Sequence, residues 1–389
     1  MKITKVEIMK IDCGVNWWHP VGCRIYTDEG IYGDGEAAIA YGTGSYAAFG
    51  MIRDLAPFMI GKDPLENEVI WNLLYKSTFW AQNGGPIIFS AISAFDVALW
   101  DIKGKYFGVP VYKLLGGKIR DQLRCYASQL QDGWIKPGPA KSVSDYVQNA
   151  KDAVSQGYDA IKIDFIAYDE QGNWIARNEQ TGRLKPGLAK LVEARISAVR
   201  EAIGSEVELI MENHSYSDAQ TAVQLARIAE KYNIFCYEEP STPTPKVTKY
   251  ISEKVNLPIA HGERIYTRWQ YAEYFENQSV QIIQPDIGNC GGITEVKKIC
   301  DMAYVYDVGV QAHVCASTFA VAPSLHLECA IPNFVIHEHH VINLMDWNKE
   351  LTIHDYQPVN GYIDIPELPG LGNEWSEKAL RNCDKVVIE

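Results

Sequence analysis

The chain has 389 residues, of which 47% are hydrophobic and 22% charged, and its formal net charge is −13. This length suits a parallel βα barrel of about 250 residues together with a second unit. A negative charge without blocks of Lys and Arg disfavours nucleic acid as a partner, and no apolar run approaches the roughly 20 residues that cross a bilayer. We therefore expect a two-domain globular protein that binds neither nucleic acid nor membrane.

The N-terminal sequence MKITKVEIMKIDCG alternates apolar and polar residues. This pattern predicts a β-strand and not a signal peptide. The nine cysteines are scattered from Cys13 to Cys383 without a C-x-x-C pair. That spacing argues against a disulfide framework and against a zinc cluster, so we expect a cytoplasmic protein.

Residues 1–123 are predicted to form an α+β capping domain. Residues 2–11 and 21–26 have strand patterns, a third strand is expected around Ile31, and helical spacing follows at 46–59, 66–77 and 87–107. Two segments, 16–20 and 78–80, carry aromatic side chains that look exposed. Their residues Trp17, His19 and Trp80 are either ordinary packing contacts or parts of a lid that binds the substrate.

After residues 114–117, short apolar strands alternate with amphipathic helices, which predicts a barrel over 124–353. Its first two strands are expected at 124–128 and 160–164, and a polar insertion at 167–187 precedes a helix at 188–203. An insertion after a strand's C-terminal end lies at the active face of such a barrel. Residues 361–365 and 368–372 resemble a return strand and loop, and we expect the segment 354–389 to return to the cap.

The segment LIMENH, residues 209–214, turns from apolar residues into an acid and a base. Ile210, Glu212 and His214 share one parity, so a strand would project them to one side. Later apolar runs end in polar residues roughly every 23 to 27 positions, about one βα unit apart. These ends, which should meet in one mouth, are at Glu238 and Glu239, Glu263, Asp286, His313 and Glu338.

Glu212, Glu238 and Glu263 at consecutive strand ends would crowd three negative charges, which is unfavourable unless a cation or protons compensate. Each acid alone could cap a helix or pair with a base such as Arg264, but three at barrel spacing favour a metal site. A set of oxygen ligands suits Mg²⁺ better than Zn²⁺. Between Glu238 and its neighbour Glu239, we expect the strand residue Glu238 to be the ligand.

A single histidine such as His313 is more often a packed side chain than a catalytic base. Asp286, one strand earlier and at the same depth, could accept a hydrogen bond from its ring N–H and fix its tautomer. The pair therefore favours a general base.

Several motifs together resemble the mandelate racemase subgroup of the enolase superfamily, and the resemblance covers essentially the whole chain. They are LIMENH, YEEP, HGER, QPDIGNCGG, QAH and the Glu of IHE, preceded by SAISAFDVALWDIKGK and KLLGG. The resemblance implies a (β/α)₇β barrel with an α+β cap, and cap loops, matching residues 16–20, that close over the substrate. It also implies Mg²⁺ on Glu212, Glu238 and Glu263, an Asp286–His313 base, and Glu338 near the substrate oxygens.

Two departures from the subgroup's usual pattern refine this expectation. Where many relatives carry K-x-K, this chain has Lys162, Ile163 and Asp164, and the missing outer Lys disfavours racemisation by two bases. The first metal ligand in this subgroup is often Asp, whereas this chain has Glu212. His214 matches the histidine that gluconate and galactonate dehydratases of this subgroup place near the leaving hydroxyl.

The resemblance therefore implies an Mg²⁺-dependent dehydratase of an aldonate such as gluconate, galactonate or mannonate. His313 would take the α-proton, Lys162 would hold developing charge, and His214 would protonate the departing 3-hydroxyl to give a 2-keto-3-deoxy acid. The alternatives are a racemase or epimerase of a 2-hydroxy acid, with Asp164 or His214 as second base, and a weakly active sugar-acid binding protein. We further expect substrate contacts from Asp164, Trp17, His19 and Trp80, and a homo-oligomer.

Overall fold

The N-terminal part is an antiparallel sheet covered by helices, in a computed structural model that describes residues Met1–Glu389. Its elements are strands β1 (Ile3–Ile11), β2 (Val21–Thr27) and β3 (Tyr32–Ala37), and helices α1 (Ser45–Leu55), α2 (Asn67–Ser77), α3 (Pro86–Phe107) and α4 (Val111–Leu114). A Cβ atom at Gly33 or Gly35 would lie 2.2 or 1.9 Å from a backbone oxygen of α3. These glycines therefore let α3 pack directly on the backbone of β3.

The central part is a closed parallel barrel. Its strands are β4 (Gln122–Ser128), β5 (Ala160–Ile163), β6 (Glu208–Glu212), β7 (Ile234–Glu238), β8 (Ile259–His261), β9 (Ile282–Ile283), β10 (Gly309–Val310) and β11 (His337–His340). The intervening helices are α5 (Val143–Ser155), α6 (Pro186–Ile203), α7 (Ala219–Ala229), α8 (Pro245–Ser252), α9 (Thr267–Glu276), α10 (Gly292–Val305) and α11 (Val321–Ala330).

Each strand from β4 to β9 pairs in parallel with the next strand along the chain, and β11 pairs in parallel with β4. A parallel bridge between Val310 and Phe334 joins β10 to the segment before β11 and completes the ring. Eight strands with seven helices between them confirm the predicted (β/α)₇β barrel with an α+β cap.

The C-terminal part contains α12 (Asp346–Lys349), β12 (Tyr362–Asp364), α13 (Glu377–Arg381) and β13 (Cys383–Ile388). Its two strands pair with different sheets. The predicted return strand near residues 361–365 is β12, which pairs antiparallel with β4 of the barrel. It is β13 that joins the cap, antiparallel to β1, so the cap sheet has the order β13-β1-β2-β3. None of the helices combines the length and apolar composition needed to cross a membrane.

The cap meets the barrel where the barrel strands end. In α3, the Asp96 carboxylate accepts hydrogen bonds from the Thr294 backbone N–H at 2.8 Å and the Thr294 hydroxyl at 2.5 Å, at the start of α10. After β3, the Ala38 N–H donates to the Gly288 carbonyl at 2.9 Å. These buried bonds hold the cap over the mouth of the barrel.

Candidate active site

The barrel interior is layered by the alternation of side chains along each strand. The lower layer is apolar and buried and consists of Tyr126, Ala160, Ile210, Cys236, Ala260, Ile282 and Ile336. Residues two positions further along point the same way. They form a polar layer that contains Ser128, Lys162, Glu212, Glu238, Gln284 and Glu338, all at most 1% exposed. The parity of these strands therefore brings Glu212, Glu238, Glu338 and Lys162 together, whereas Glu263 lies in the turn after the end of β8.

Glu212, Glu238 and Glu263 each offer a carboxylate oxygen within 4.8 Å of the others. Two of their buried oxygens, Oε1 of Glu212 and Oε2 of Glu238, have no hydrogen-bond partner in the protein. Buried carboxylate oxygens are seldom left without one. The cluster therefore fits a divalent cation with oxygen ligands. The neighbouring Glu239 turns away from the cluster and pairs with Arg264.

Lys162 lies beneath this cluster and is not exposed in the cavity. Its Nζ is 2.6 Å from Glu238, 2.9 Å from Glu338 and 3.4 Å from Glu212. Burial raises the pKa of Glu238 to about 8, with Lys162 opposing that rise. Burial would also raise the pKa of Glu338, but Lys162 and His313 hold it well below the usual value.

Glu338 was expected near the substrate oxygens, but its own oxygens are occupied by protein donors. Oε1 accepts from the Ser128 hydroxyl at 2.7 Å and Oε2 from the Val314 N–H at 2.8 Å. The residue is 1% exposed and does not line the cavity. Glu338 therefore joins the ends of β4, β5 and the segment after β10 from below.

His313 and Asp286 form the expected pair. The Nδ1 atom of His313 lies 2.6 Å from Oδ2 of Asp286, and its Nε2 atom lies 3.4 Å from Oε2 of Glu263. The other Asp286 oxygen accepts from the Gly288 N–H at 2.7 Å. Burial opposes protonation of His313, but the charges of Glu263 and Asp286 raise its pKa well above the usual value.

His214 forms a second pair of the same kind with Asp164. Its Nδ1 lies 2.8 Å from Oδ2 of Asp164, and its Nε2 lies 3.4 Å from Oε1 of Glu212. Burial opposes protonation, but Glu212 and the hydrogen bond to Asp164 raise the pKa of His214 to about 9. Asp164 is buried and absent from the cavity wall. It was expected to bind substrate, but its contact is with the histidine.

The parity argument for His214 was wrong in its detail. β6 ends at Glu212, and His214 has a φ of +46°, in the left-handed region. The chain therefore leaves the strand in a turn before His214. The imidazole nevertheless faces the cavity because Asp164, at the end of the neighbouring strand, holds its Nδ1.

A cavity of about 640 Å³ opens above the glutamates, and both histidines lie on its wall. Trp17 of the cap and two residues of the polar insertion, Tyr168 and Trp174, line it as well. The other two aromatic-segment candidates are not on this wall. Nε2 of His19 lies 3.1 Å from the Asn16 carbonyl within its own loop, and Trp80 is 79% exposed and packs edge-on against Phe79.

Several site residues escaped the sequence reasoning. Gln129, immediately after β4 and with a φ of +68°, donates to Glu212, and Gln131 accepts from the Asp164 N–H at 3.1 Å. Their position after a strand end was the only signal. Glu36 of β3 accepts from the backbone N–H of Ser317 at 3.0 Å and from its hydroxyl at 2.7 Å. Arg264, weighed only as a partner for acids, also lies on the cavity wall.

Comparison with known proteins identifies relatives along the whole chain. The chain is 33% identical to the D-galactonate dehydratase of Ralstonia nicotianae, with 100% of each sequence covered. It is 32% identical to the D-xylonate dehydratase of Haloferax volcanii, over 95% of this chain and 86% of that protein.

Solved structures share the fold. A member of the enolase superfamily from Salmonella Typhimurium is 48% identical, with a TM-score of 0.97 and complete coverage of both chains. The 3,6-anhydro-D-galactonate cycloisomerase of Zobellia galactanivorans is 28% identical, with a TM-score of 0.82 over 99% of this chain and 100% of that one. One fold thus carries more than one activity.

Two family descriptions match the chain in consecutive regions. Residues 18–116 match the mandelate racemase / muconate lactonizing enzyme N-terminal domain, and residues 145–379 match the enolase C-terminal domain-like family. The glutamate cluster and most of the barrel and cap helices lie within these two regions, whereas β4 lies between them. The chain is therefore a member of the mandelate racemase / muconate lactonizing enzyme family of the enolase superfamily.

Proposed function

We propose that this protein is an Mg²⁺-dependent hydro-lyase that removes water from a sugar acid, an aldonate, to give a 2-keto-3-deoxy acid. The observation that carries the proposal is the pair of histidines, each bound to an Asp, whose Nε2 atoms lie 3.4 Å from two different glutamates of one cluster. Dehydration needs a base for the C2 proton and an acid for the 3-hydroxyl, and this arrangement supplies both. The D-galactonate and D-xylonate dehydratases among the relatives support the same reaction.

The three glutamates would hold the metal through oxygen atoms alone, a ligand set typical of Mg²⁺. When bound, the ion supplies positive charge that offsets the carboxylates and stabilises the negative oxygens of the deprotonated substrate acid. Lys162 adds a fixed positive charge beneath the cluster, since its Nζ contacts Glu212, Glu238 and Glu338.

His313 is the proposed base. Because Asp286 accepts the hydrogen bond from Nδ1–H, the lone pair of neutral His313 is on Nε2, the atom that faces the cluster. Nε2 would take the proton from C2 of the substrate. Asp286 then stabilises the imidazolium and is itself held by the Gly288 N–H.

His214 is the proposed acid. In this role its imidazole carries a proton, which the neighbouring Glu212 carboxylate favours, and Asp164 holds the Nδ1 side so that Nε2–H faces the cavity. Nε2–H would protonate the 3-hydroxyl as the C3–O bond breaks, releasing water. The resulting enol ketonises to the 2-keto acid.

A racemase or epimerase of a 2-hydroxy acid is the second candidate, because His214 could return a proton to C2 from the side opposite His313. The similar geometry of the two histidine–aspartate pairs supports this second candidate. The two reactions differ in product: epimerisation in D₂O puts deuterium at C2 of recovered substrate without forming a keto acid.

The proposal is tested by incubating the protein with a panel of hexonates, pentonates and aldarates and measuring 2-keto acid. We expect turnover of at least one aldonate with Mg²⁺ and none after excess EDTA, since no side chain of the site can replace the ion in binding the substrate carboxylate and stabilising the deprotonated acid. Readdition of Mg²⁺ to the chelated protein should restore activity. Full turnover in excess EDTA, or no keto acid from any member of the panel, would contradict the proposal.

A further inference from the structure

The outer half of the cavity is bounded by exposed aromatic side chains that come from distant parts of the sequence. Trp17 precedes β2, Tyr41 follows β3, and Trp174 belongs to the insertion after β5; all three line the cavity and are 47%, 63% and 50% exposed. Single exposed aromatic side chains are common on protein surfaces, but several around one opening are typical of a binding surface.

A carboxylate stands beside these rings. Oδ1 of Asp132 accepts a hydrogen bond from the Tyr168 hydroxyl at 2.5 Å, and Oδ2 has one distant donor, Nε2 of Gln131 at 3.4 Å. The Tyr168 ring lies 4.6 Å from that of Trp174. A carboxylate can only accept hydrogen bonds, so this wall suits a ligand with hydroxyl donors on its edge and C–H groups on its face. Sugar rings have both.

The charge of Asp132 disfavours a second acidic group on the part of the ligand that lies next to it. Apart from histidines, Arg264 is the only basic residue on the wall, and its guanidinium already pairs with Glu239 and Glu263. A phosphate or a second carboxylate beside Asp132 would face a like charge, which is unfavourable in a partly buried site.

The size of the cavity also allows for a ligand larger than an aldonate. Cavities of about 300 to 1,000 Å³ enclose drug-sized ligands, and a hexonate has only roughly 13 non-hydrogen atoms whereas a glycosylated hexonate has roughly 24. At about 640 Å³, the cavity is in the range for the larger molecule.

From these observations we infer that the protein acts on an aldonate that carries a second, uncharged sugar ring. The acid end would lie at the glutamates and histidines, and the second ring would lie between Trp17, Tyr41 and Trp174, with a hydroxyl donating to Asp132. This inference rests on the proposed function for the acid end, while the outer subsite depends on separate residues.

The test compares the best hexonate of the panel with its 4-O-glucosyl and 6-O-glucosyl derivatives, in the parent protein and in Trp174→Ala. If no hexonate reacts, gluconate and galactonate serve as the acids. Stacking on the rings should raise kcat/KM for at least one glycosylated acid about tenfold over the hexonate, and Trp174→Ala should remove that gain. The same variant should lower kcat/KM for the hexonate by a smaller factor, so that the ratio of kcat/KM between the glycosylated acid and the hexonate falls to about one.

Trp269→Ala is the matched control, because Trp269 is 52% exposed, stacks on Tyr75 and lies off the cavity wall. Binding of each acid is followed in parallel by calorimetry. If the hexonate reacts and neither glycosylated acid reacts faster, the outer subsite is refuted while the dehydratase stands. If no acid reacts but a glycosylated acid binds more tightly than its hexonate, and only Trp174→Ala weakens it, the subsite stands and the dehydratase fails. Absence of both effects refutes both.

Discussion

The two histidine–aspartate pairs are alike in geometry and different in what holds them. The Nδ1–carboxylate distances are 2.6 Å for His313–Asp286 and 2.8 Å for His214–Asp164, and both Nε2 atoms lie 3.4 Å from a clustered glutamate. The pairs therefore cannot be assigned as base and acid from their own geometry. The difference lies in their surroundings.

The cap positions the first pair through three hydrogen bonds. The Ala38 N–H holds the Gly288 carbonyl beside Asp286, and Glu36 holds both donors of Ser317 in the loop that follows His313. The second pair has no such cap anchor: Asp164 is held within the barrel by Gln131, and His214 stands on a left-handed turn. We infer that the base is positioned by the domain interface and the acid by the barrel alone, so changes on the two sides should affect different steps.

The largest effect is expected from His313→Asn. Asparagine cannot accept the C2 proton, so the rate of dehydration and the rate of C2 proton exchange should both fall by roughly 10⁴, the upper end for a positioned acid–base group. Both rates are measured on one sample, by keto-acid assay and by NMR in D₂O. Exchange at the parent rate would reassign the base.

A smaller and more selective effect is expected from His214→Asn. Loss of the acid should slow release of water by roughly 10² to 10⁴ and leave proton abstraction intact. Mg²⁺ affinity, measured by calorimetry, should stay close to that of the parent because the three glutamates are unchanged. Dehydration at the parent rate would make His214 a bystander in a polar pocket.

Smaller effects are expected from replacing the aspartate of each histidine–aspartate pair. Asp164→Asn should slow dehydration roughly 10- to 100-fold, as is usual for a group that orients a functional residue, without slowing C2 exchange. Asp286→Asn, its matched counterpart, should slow both reactions. Equal effects of the two variants on both reactions would mean that the pairs do not have separate roles.

The smallest effect on activity is expected from Glu36→Gln, which can keep both bonds to Ser317. Burial raises the pKa of Glu36 to about 8 from a usual value near 4.5. A group whose pKa is higher in the folded than in the unfolded state stabilises the fold at pH values below its unfolded-state pKa. This stabilisation is lost as the pH rises through the folded-state pKa. The parent should therefore lose roughly 2 to 4 kcal/mol of unfolding free energy relative to the variant between pH 4.5 and pH 8.

Urea unfolding of both proteins across that range measures the difference. If the unfolding free energies of parent and variant change with pH in parallel, Glu36 is ionised in the folded protein. Its proton then plays no part in the contact with Ser317. Activity is expected to change less than threefold in the variant, because the backbone bond from Ser317 is retained.

Much of the site could be predicted because a barrel repeats. Strand parity and the βα period lead from Ile210 to Glu212 and on to Glu238, and the same rule reaches Asp286 and His313. Glu263 follows the βα period alone, because it lies three positions after the inward-facing Ala260, beyond the end of β8. Contacts between elements far apart in sequence leave no such period. Glu36 with Ser317 and Asp164 with His214 depend on how the cap and neighbouring strand ends meet, which no local pattern encodes.

The aromatic residues show that local sequence does not determine which side chains line the cavity. Trp17 and Trp80 look alike in sequence, but only Trp17 lines the cavity, because its loop crosses the barrel mouth while Trp80 packs on Phe79 outside it. The two tail strands pose the same difficulty: β12 joins β4 and β13 joins β1, and the sequence of neither names its partner.

The central claim is that His313 removes the C2 proton and His214 acts afterwards. It is tested most directly by incubating His214→Asn with the best aldonate in D₂O and following deuterium at C2 and keto acid in the same sample. We expect deuterium to enter C2 of recovered substrate faster than keto acid forms, provided that the proton on His313 exchanges with solvent. Keto acid at the parent rate, or loss of exchange and dehydration together, would contradict the division of roles between the two pairs.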